Sequence, residues 1–206
     1  MITLYGITRS RAARCLWMLE EVGVPYERVL TDQRKQGNRQ PDYLAINPNG
    51  RLPALRDGDL TLFESMAINL YLADRYGQGL LPGSAEDRGR CYQWSVWVVT
   101  EVEAHALKAL QHTALLPEEQ RSPEAHQQAV ESLNRPLAVL EGALAGRECL
   151  LGGAFSVADL NVASVLAWTL RAKVPLGGFP RVKDWMARCL ARTGQQKVLA
   201  ELRASA

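Results

Sequence analysis

The 206-residue sequence lacks the features that mark membrane, secreted and nucleic-acid-binding proteins. It has no run of about 18 apolar residues that could span a bilayer, and the apolar run at residues 2–5 is far too short for a signal-peptide core. The formal net charge is +2, which gives no dense basic surface for nucleic acid. We therefore expect a soluble, cytoplasmic protein that binds neither membrane nor nucleic acid.

Cysteine is also scarce, and the spacing of the cysteines argues against a disulfide framework and against a cysteine-ligated metal site. The four cysteines, Cys15, Cys91, Cys149 and Cys189, are far apart and form neither a CxxC pair nor a metal-ligand pattern. In a chain of this size such spacing favours reduced thiols in a cytosol over a disulfide framework. Because the cysteine spacing contains no metal-ligand pattern, we also expect that the protein binds no metal.

The first 77 residues alternate between strand and helix patterns. Ser10 is a plausible N-cap for the first helix and Gly23 a stop signal, while Asp57-Gly58-Asp59 predicts a tight hairpin. The strand patterns cover residues 2–5, 26–30, 54–56 and 60–63, and the helical patterns cover 12–22 and 64 to about 77. The order β-α-β, loop, β-β-α predicts a small mixed sheet covered by helices, with residues 33–40 as an irregular exposed loop.

The second half of the sequence reads as purely helical. Glycine, proline and polar residues concentrate between Gly77 and Asp87, which predicts a linker at residues 78–87. Helical patterns follow at residues 88–116, 123–144, 157–171 and 181–202, the last with a break near Gly194. We therefore expect one domain over residues 1–77 and an all-helical domain over residues 88–206.

The turn from the first strand into the first helix carries a candidate catalytic hydroxyl. Ser10 lies where free backbone N–H groups and the helix dipole favour negative charge. A serine there can donate a hydrogen bond to a bound thiolate, which lowers the thiol pKa from about 8.5 toward neutrality. The alternative is that Ser10 is only an N-cap, and the two roles are compatible.

The segment NPNGRLPAL, residues 47–55, carries a candidate backbone-pairing site. If the Leu52–Pro53 peptide bond is cis, the Leu52 N–H and C=O turn away from the sheet edge and can pair with a ligand's peptide backbone. The alternative is an ordinary trans proline at the start of a strand.

Glu64 and Ser65 lie where the next helix begins. Free N–H groups at that helix start, together with the Ser65 hydroxyl, form an anion site of carboxylate size, and Glu64 would face an ammonium group. The alternative is a favourable acidic first turn with a serine cap.

Taken together, these segments resemble a known family. Ser-x-x-x-Arg at Ser10 and Arg14, then NPNGRLPAL, then FESMAINLYLADRY, resemble the glutathione-transferase form of the thioredoxin fold. Ser156 and Asp159 in FSVADL resemble the capping box of that family's helical domain. The resemblance covers nearly the whole chain. It implies an α/β thioredoxin-like N-terminal domain followed by an all-α helical bundle.

The resemblance also implies how glutathione is bound. Leu52 pairs with the cysteinyl backbone across a cis Pro53, while Glu64 and Ser65 hold the γ-glutamyl amine and carboxylate. Arg51 lies where the family often has a lysine near the glycyl carboxylate, and a guanidinium can make a bidentate contact there.

Further roles in the resemblance fall on two loops. Arg39, with Asn38 and Gln40 beside it, is a candidate for further glycyl contacts. Ser10 resembles the catalytic serine of the serine-type classes, and Thr8 or a backbone N–H is the alternative donor to the thiol. Because no cysteine occupies position 10, a mixed-disulfide mechanism is disfavoured.

The implied activity is transfer of the glutathione thiolate to a small electrophilic co-substrate, with glutathione as co-substrate and the chain as a homodimer. Two alternatives remain open at this stage. One is peroxide reduction, isomerisation or dehalogenation at the same glutathione site, and the other is a non-catalytic binding protein with a transferase fold.

Overall fold

The computed structural model describes residues 1–204, which form two compact units. One unit contains Met1–Leu81 together with the segment that starts at Arg192, and the other contains Pro82–Ala191. The sequence predicts one helical domain over residues 88–206, whereas in the structure the last helix groups with the N-terminal unit. The predicted fold class, a thioredoxin-like domain followed by a helical one, is confirmed.

The first unit contains a mixed sheet in the strand order β2-β1-β3-β4. Its strands are β1 (Ile2–Tyr5), β2 (Tyr26–Val29), β3 (Ala54–Asp57) and β4 (Leu60–Phe63). β1 and β2 are parallel because a helix crosses over between them, and β3 is antiparallel to both β1 and β4. The hairpin between β3 and β4 turns at Gly58, whose φ of +58° suits glycine.

Helices account for most of the remaining chain. In chain order they are α1 (Ala12–Val22), α2 (Pro41–Leu44), α3 (Ser65–Tyr76), α4 (Ala85–Trp97), α5 (Glu103–Leu110), α6 (Pro123–Ala143), α7 (Val157–Arg171), α8 (Pro180–Leu190) and α9 (Thr193–Ala204). None of the helices within residues 1–204 combines the length and apolar character needed to cross a membrane.

The core of the first unit lies between the sheet and the helices α1 and α3, and α9 packs on α1. Leu4 and Leu55 point from neighbouring strands and are completely buried. Trp17 on α1 and Ile68 on α3 are also completely buried. Gly23 ends α1 in the left-handed conformation and donates its N–H to the Leu19 carbonyl, as the sequence predicted.

The loop expected at residues 33–40 is more ordered than its polar composition indicated. Two short 3-10 turns, Gln33–Lys35 and Gly37–Arg39, precede α2. Asn38 is buried and its amide nitrogen donates to the Gly50 carbonyl at 2.6 Å. The loop is therefore tied to the turn that leads into β3.

The second unit is helical, as predicted. α4 begins three residues before the predicted residue 88, because Ser84 accepts a hydrogen bond from the Asp87 N–H at 3.1 Å and caps it. A π-helical turn at Val98–Val102 joins α4 to α5, and a second one at Gln111–Leu115 extends α5, which completes the long helical stretch that the sequence indicated.

The final helical break lies at Ala191–Arg192, two to three residues before the predicted Gly194. Gly194 lies in the first turn of α9 and is needed for a different reason. A Cβ at this position would come within 3.0 Å of the Glu21 carboxylate and 3.1 Å of the Glu20 Cβ. Gly194 therefore lets α9 approach α1 closely.

Candidate active site

A glycine at the end of β1 brings two predicted site residues together. Gly6 has a φ of +144°, and a Cβ on it would lie only 2.6 Å from the Ala12 Cβ. The same point is 3.6 Å from the Ser10 Oγ and 3.9 Å from the Leu52 Cβ. Ser10 and Leu52 therefore flank Gly6, in a space that any larger residue would fill.

Ser10 uses its hydroxyl locally in this structure. Its Oγ donates to the Ile7 carbonyl at 2.7 Å and accepts from the Ala12 N–H at 3.1 Å. The N-cap position of α1 is Arg11, so the prediction of Ser10 as N-cap is wrong by one residue. The Ser10 oxygen nevertheless satisfies the first N–H of α1.

The Leu52–Pro53 peptide bond is cis. Leu52 is buried and lies just before β3 begins, so its peptide groups are outside the strand ladder. The preceding carbonyl, that of Arg51, accepts hydrogen bonds from the Tyr43 hydroxyl at 2.5 Å and the Asn47 amide at 2.8 Å. These two bonds fix the turn, while the Arg51 side chain is exposed.

Arg39 lies beside the same turn. Gly50 has a φ of +57°, and a Cβ there would come within 2.9 Å of the Arg39 Nη1. The Asn38 amide nitrogen already donates to the Gly50 carbonyl. Of Asn38 and Arg39, Arg39 is therefore the better candidate for a ligand contact. The side chains of Arg39 and Arg51 are both exposed, and both residues lie at the turn that contains Gly50.

The start of α3 has an unusual backbone. Glu64 occupies the N-cap position with φ 72° and ψ 111°, and its side chain makes no capping hydrogen bond. Such a conformation is costly for a residue with a Cβ. Ser65 follows as the first residue of α3 and is buried, whereas Glu64 is exposed.

Two protein-family models match this chain. The model of the glutathione S-transferase N-terminal domain matches residues 1–74, and that of the glutathione S-transferase C-terminal domain matches residues 103–193. Glutathione S-transferase 3 of Zea mays is 36% identical over 98% of this chain and 94% of its own length.

The chain belongs to the glutathione S-transferase family. Glutathione S-transferase GstB of Escherichia coli K12 is 32% identical over 97% of this chain and 98% of its own length. A theta class glutathione S-transferase of Xanthomonas axonopodis pv. citri, solved with glutathione bound, superposes with a TM-score of 0.86. It is 32% identical, over 95% of each chain. The predicted family and the assignment as a glutathione S-transferase enzyme are therefore confirmed.

Sequence reasoning missed the role of one buried cation in this glutathione S-transferase. Arg14 is buried on α1, and its Nη1 donates to the Ser65 Oγ at 3.4 Å. A guanidinium beneath the start of α3 adds positive potential to the helix dipole, which favours an anion there. The available signal was an arginine inside an otherwise apolar helical pattern, AARCLWML.

Two buried cysteines, Cys15 and Cys91, are poor nucleophiles. Burial raises the pKa of the Cys15 thiol, and this effect outweighs the opposing influence of Arg14. Burial likewise raises the pKa of Cys91 to about 11. Both thiols are therefore protonated at neutral pH. Within residues 1–204, no three His, Cys, Asp or Glu side chains gather in a way that could hold a metal ion.

Proposed function

We propose that this glutathione S-transferase conjugates the glutathione thiolate to a small electrophilic molecule. The observation that carries the proposal is the placement of Ser10 and Leu52 on either side of Gly6. A tripeptide whose cysteinyl backbone pairs with Leu52 would extend its thiol toward the Ser10 hydroxyl. The bound glutathione in the Xanthomonas relative supports this choice of co-substrate.

The proposed binding roles follow the charges of the site. The Leu52 backbone pairs with the cysteinyl unit beside the cis Pro53. Glu64 receives the γ-glutamyl amine, and Ser65 receives the γ-glutamyl carboxylate at the start of α3. Arg51 and Arg39 lie near one turn and attract the glycyl carboxylate. Each end of the tripeptide thus meets a group of opposite charge.

Ser10 is proposed to activate the thiol. After the thiol proton has left to solvent, the Ser10 hydroxyl redirects its hydrogen bond from the Ile7 carbonyl to the sulfur and so stabilises the thiolate, while the proton stays on the Ser10 oxygen. A shift of one pKa unit corresponds to about 1.4 kcal/mol, which is roughly the value of one charge-assisted hydrogen bond. The thiolate then forms a carbon–sulfur bond with the electrophile, which either releases a leaving group with its electron pair, such as chloride, or takes up a proton from solvent after addition. Positioning the two reactants supplies the rest of the catalysis.

Two measurements test this proposal. Calorimetry should give a dissociation constant for glutathione well below 1 mM, which corresponds to a binding free energy more favourable than about −4 kcal/mol. Ultraviolet titration of the bound thiol should show its pKa rising by about one unit in Ser10→Ala, while glutathione affinity stays nearly constant. Millimolar or weaker binding by the parent protein would overturn the glutathione site. An unchanged thiol pKa would assign activation to Thr8 or a backbone N–H.

The chain is further proposed to act as a cytoplasmic homodimer, as its resemblance to the family implies. Light scattering should therefore give about twice the mass of 22.8 kDa. A monomer mass at micromolar concentration would contradict this.

A further inference from the structure

A closed hydrogen-bond network links α9 to the loop that carries Ser10. The Thr8 hydroxyl donates to the Glu201 carboxylate on α9. Arg28 Nη2 donates to the Thr8 Oγ1 at 2.6 Å, and Arg28 Nη1 pairs with the Glu201 Oε1 at 2.6 Å. We call these three residues, Thr8, Arg28 and Glu201, the Thr8 clamp.

The Thr8 clamp also holds the backbone at the end of β1. Arg28 Nε donates to the Gly6 carbonyl at 3.3 Å. Thr8 is buried, and the Ser10 N–H donates to the Ile7 carbonyl at 3.0 Å. Backbone movement of the Gly6–Ser10 turn is therefore restrained on both sides of Ile7.

Other contacts dock α9 on α1 without the Thr8 clamp. Arg192 makes a bidentate pair with the Glu21 carboxylate, at 3.0 and 2.6 Å. Lys197 pairs with Glu20 at 2.7 Å, and Val198 is buried. Removing the Glu201 side chain should therefore release the loop and leave α9 in place.

The charge state of Glu201 suits this role. Burial disfavours its ionised form, but hydrogen bonds from Thr8 and Arg28 outweigh burial, so the pKa of Glu201 lies below its usual range. The carboxylate is ionised at neutral pH and accepts the Thr8 proton. A threonine whose proton is held by a carboxylate is a poor donor to a thiolate, which favours Ser10 over Thr8.

We propose that Glu201 is a positioning residue for thiol activation. Through Thr8 and Arg28 it fixes the turn that presents the Ser10 hydroxyl to the glutathione sulfur. This inference rests on the proposed function, because it gives Ser10 the role of thiol donor. A small displacement of a catalytic group weakens its hydrogen bond and lowers the rate without removing substrate-binding contacts.

The test compares Glu201→Ala with Lys197→Ala, two variants that each remove one ion pair of α9. We expect Glu201→Ala to raise the bound-thiol pKa by about one unit, which lowers kcat/KM near pH 6.5 about tenfold with 1-chloro-2,4-dinitrobenzene. At a pH above both thiol pKa values the two rates should converge. Lys197→Ala should keep the parental pH profile, because Lys197 does not touch the Thr8 clamp. Glutathione affinity should stay within about twofold in both variants.

A conservative variant separates positioning from folding. Glu201→Gln keeps an oxygen that can accept the Thr8 proton and should recover part of the parental thiol pKa. Thermal unfolding of each variant reports whether α9 remains docked. A thiol pKa in Glu201→Gln equal to that of Glu201→Ala, or a thiol pKa in Glu201→Ala equal to that of the parent, would overturn the positioning role.

The two proposals fail in different ways. Loss of the pKa effect in Glu201→Ala, with a clear effect in Ser10→Ala, overturns the positioning role and leaves the proposed function intact. An absent effect in Ser10→Ala overturns the proposed activation step and the positioning role together. In that case, a thiol pKa shift in Thr8→Val would identify Thr8 as the donor.

Discussion

The starts of α7 and α3 both carry a serine and an acidic residue, but the acidic residue is bonded within the chain at α7 and not at α3. At the start of α7, the completely buried Asp159 accepts hydrogen bonds from the Ser156 N–H and Oγ at 3.0 and 2.8 Å. It also accepts from the Leu150 N–H at 2.8 Å and the Trp185 Nε1 at 2.9 Å. At the start of α3, Glu64 makes no capping hydrogen bond and is exposed.

The difference separates a helix start whose polar groups are satisfied within the fold from one that we propose binds a ligand. The Asp159 carboxylate meets four donors, so the α7 start is satisfied from within the chain. The first turn of α3 contains no acidic residue, and Arg14 adds positive charge beside Ser65. An anion from outside, such as a carboxylate, therefore gains more at α3 than at α7.

The second half of α3 is hydrogen-bonded to the β3–β4 hairpin. The Tyr71 and Tyr76 hydroxyls both donate to the Asp57 Oδ2, at 2.7 and 2.5 Å. The hydrogen bond from Tyr76, together with that from Tyr71, overcomes burial and holds the pKa of Asp57 below its usual range. The hairpin that carries Asp57 thus holds the second half of α3 through two hydrogen bonds.

The largest effect is expected where the closed helix start is broken. Asp159→Asn replaces a carboxylate by an amide whose nitrogen faces donors, so we expect a loss of about 3–5 kcal/mol in the free energy of unfolding. Urea unfolding measures this. The folded fraction should bind glutathione as the parent does, because Asp159 belongs to the helical unit. A loss below about 1 kcal/mol would show that the carboxylate network is dispensable.

A matched pair of serine substitutions tests the comparison directly. Ser65→Ala should weaken glutathione binding by roughly 1–3 kcal/mol in calorimetry, because a buried anion contact is lost. Ser156→Ala should lower the free energy of unfolding by about 1 kcal/mol and leave glutathione affinity unchanged. Normal affinity in Ser65→Ala would refute its assignment to the γ-glutamyl carboxylate.

Three of the element boundaries follow directly from the sequence because local signals mark them. Gly23 ends α1, the turn at Gly58 separates β3 from β4, and the FSVADL box starts α7. These signals act within a few residues, so periodicity and cap chemistry suffice to place them.

Contacts between residues far apart in the chain could not be predicted from the sequence. Arg14 meets Ser65 across 51 positions, and Arg28 meets Glu201 across 173. No local pattern encodes such pairs, because they depend on how the sheet and helices stack. The same limit explains why α9 was grouped with the helical domain, since only its packing on α1 reveals its place.

The smallest expected effect concerns Glu64, whose backbone distinguishes the open helix start. Glu64→Gly removes the Cβ that makes φ 72° costly, and the relief exceeds the entropy that glycine loses on folding. We expect the free energy of unfolding to rise by about 1 kcal/mol while glutathione binding weakens, because the partner of the γ-glutamyl amine is gone. Parallel urea unfolding and calorimetry measure the two effects. Glu64→Gln provides the control: it keeps the Cβ and should weaken binding without gaining stability. If Glu64→Gly is less stable than the parent, then Glu64 stabilises the fold, and its strained backbone is not explained by ligand binding.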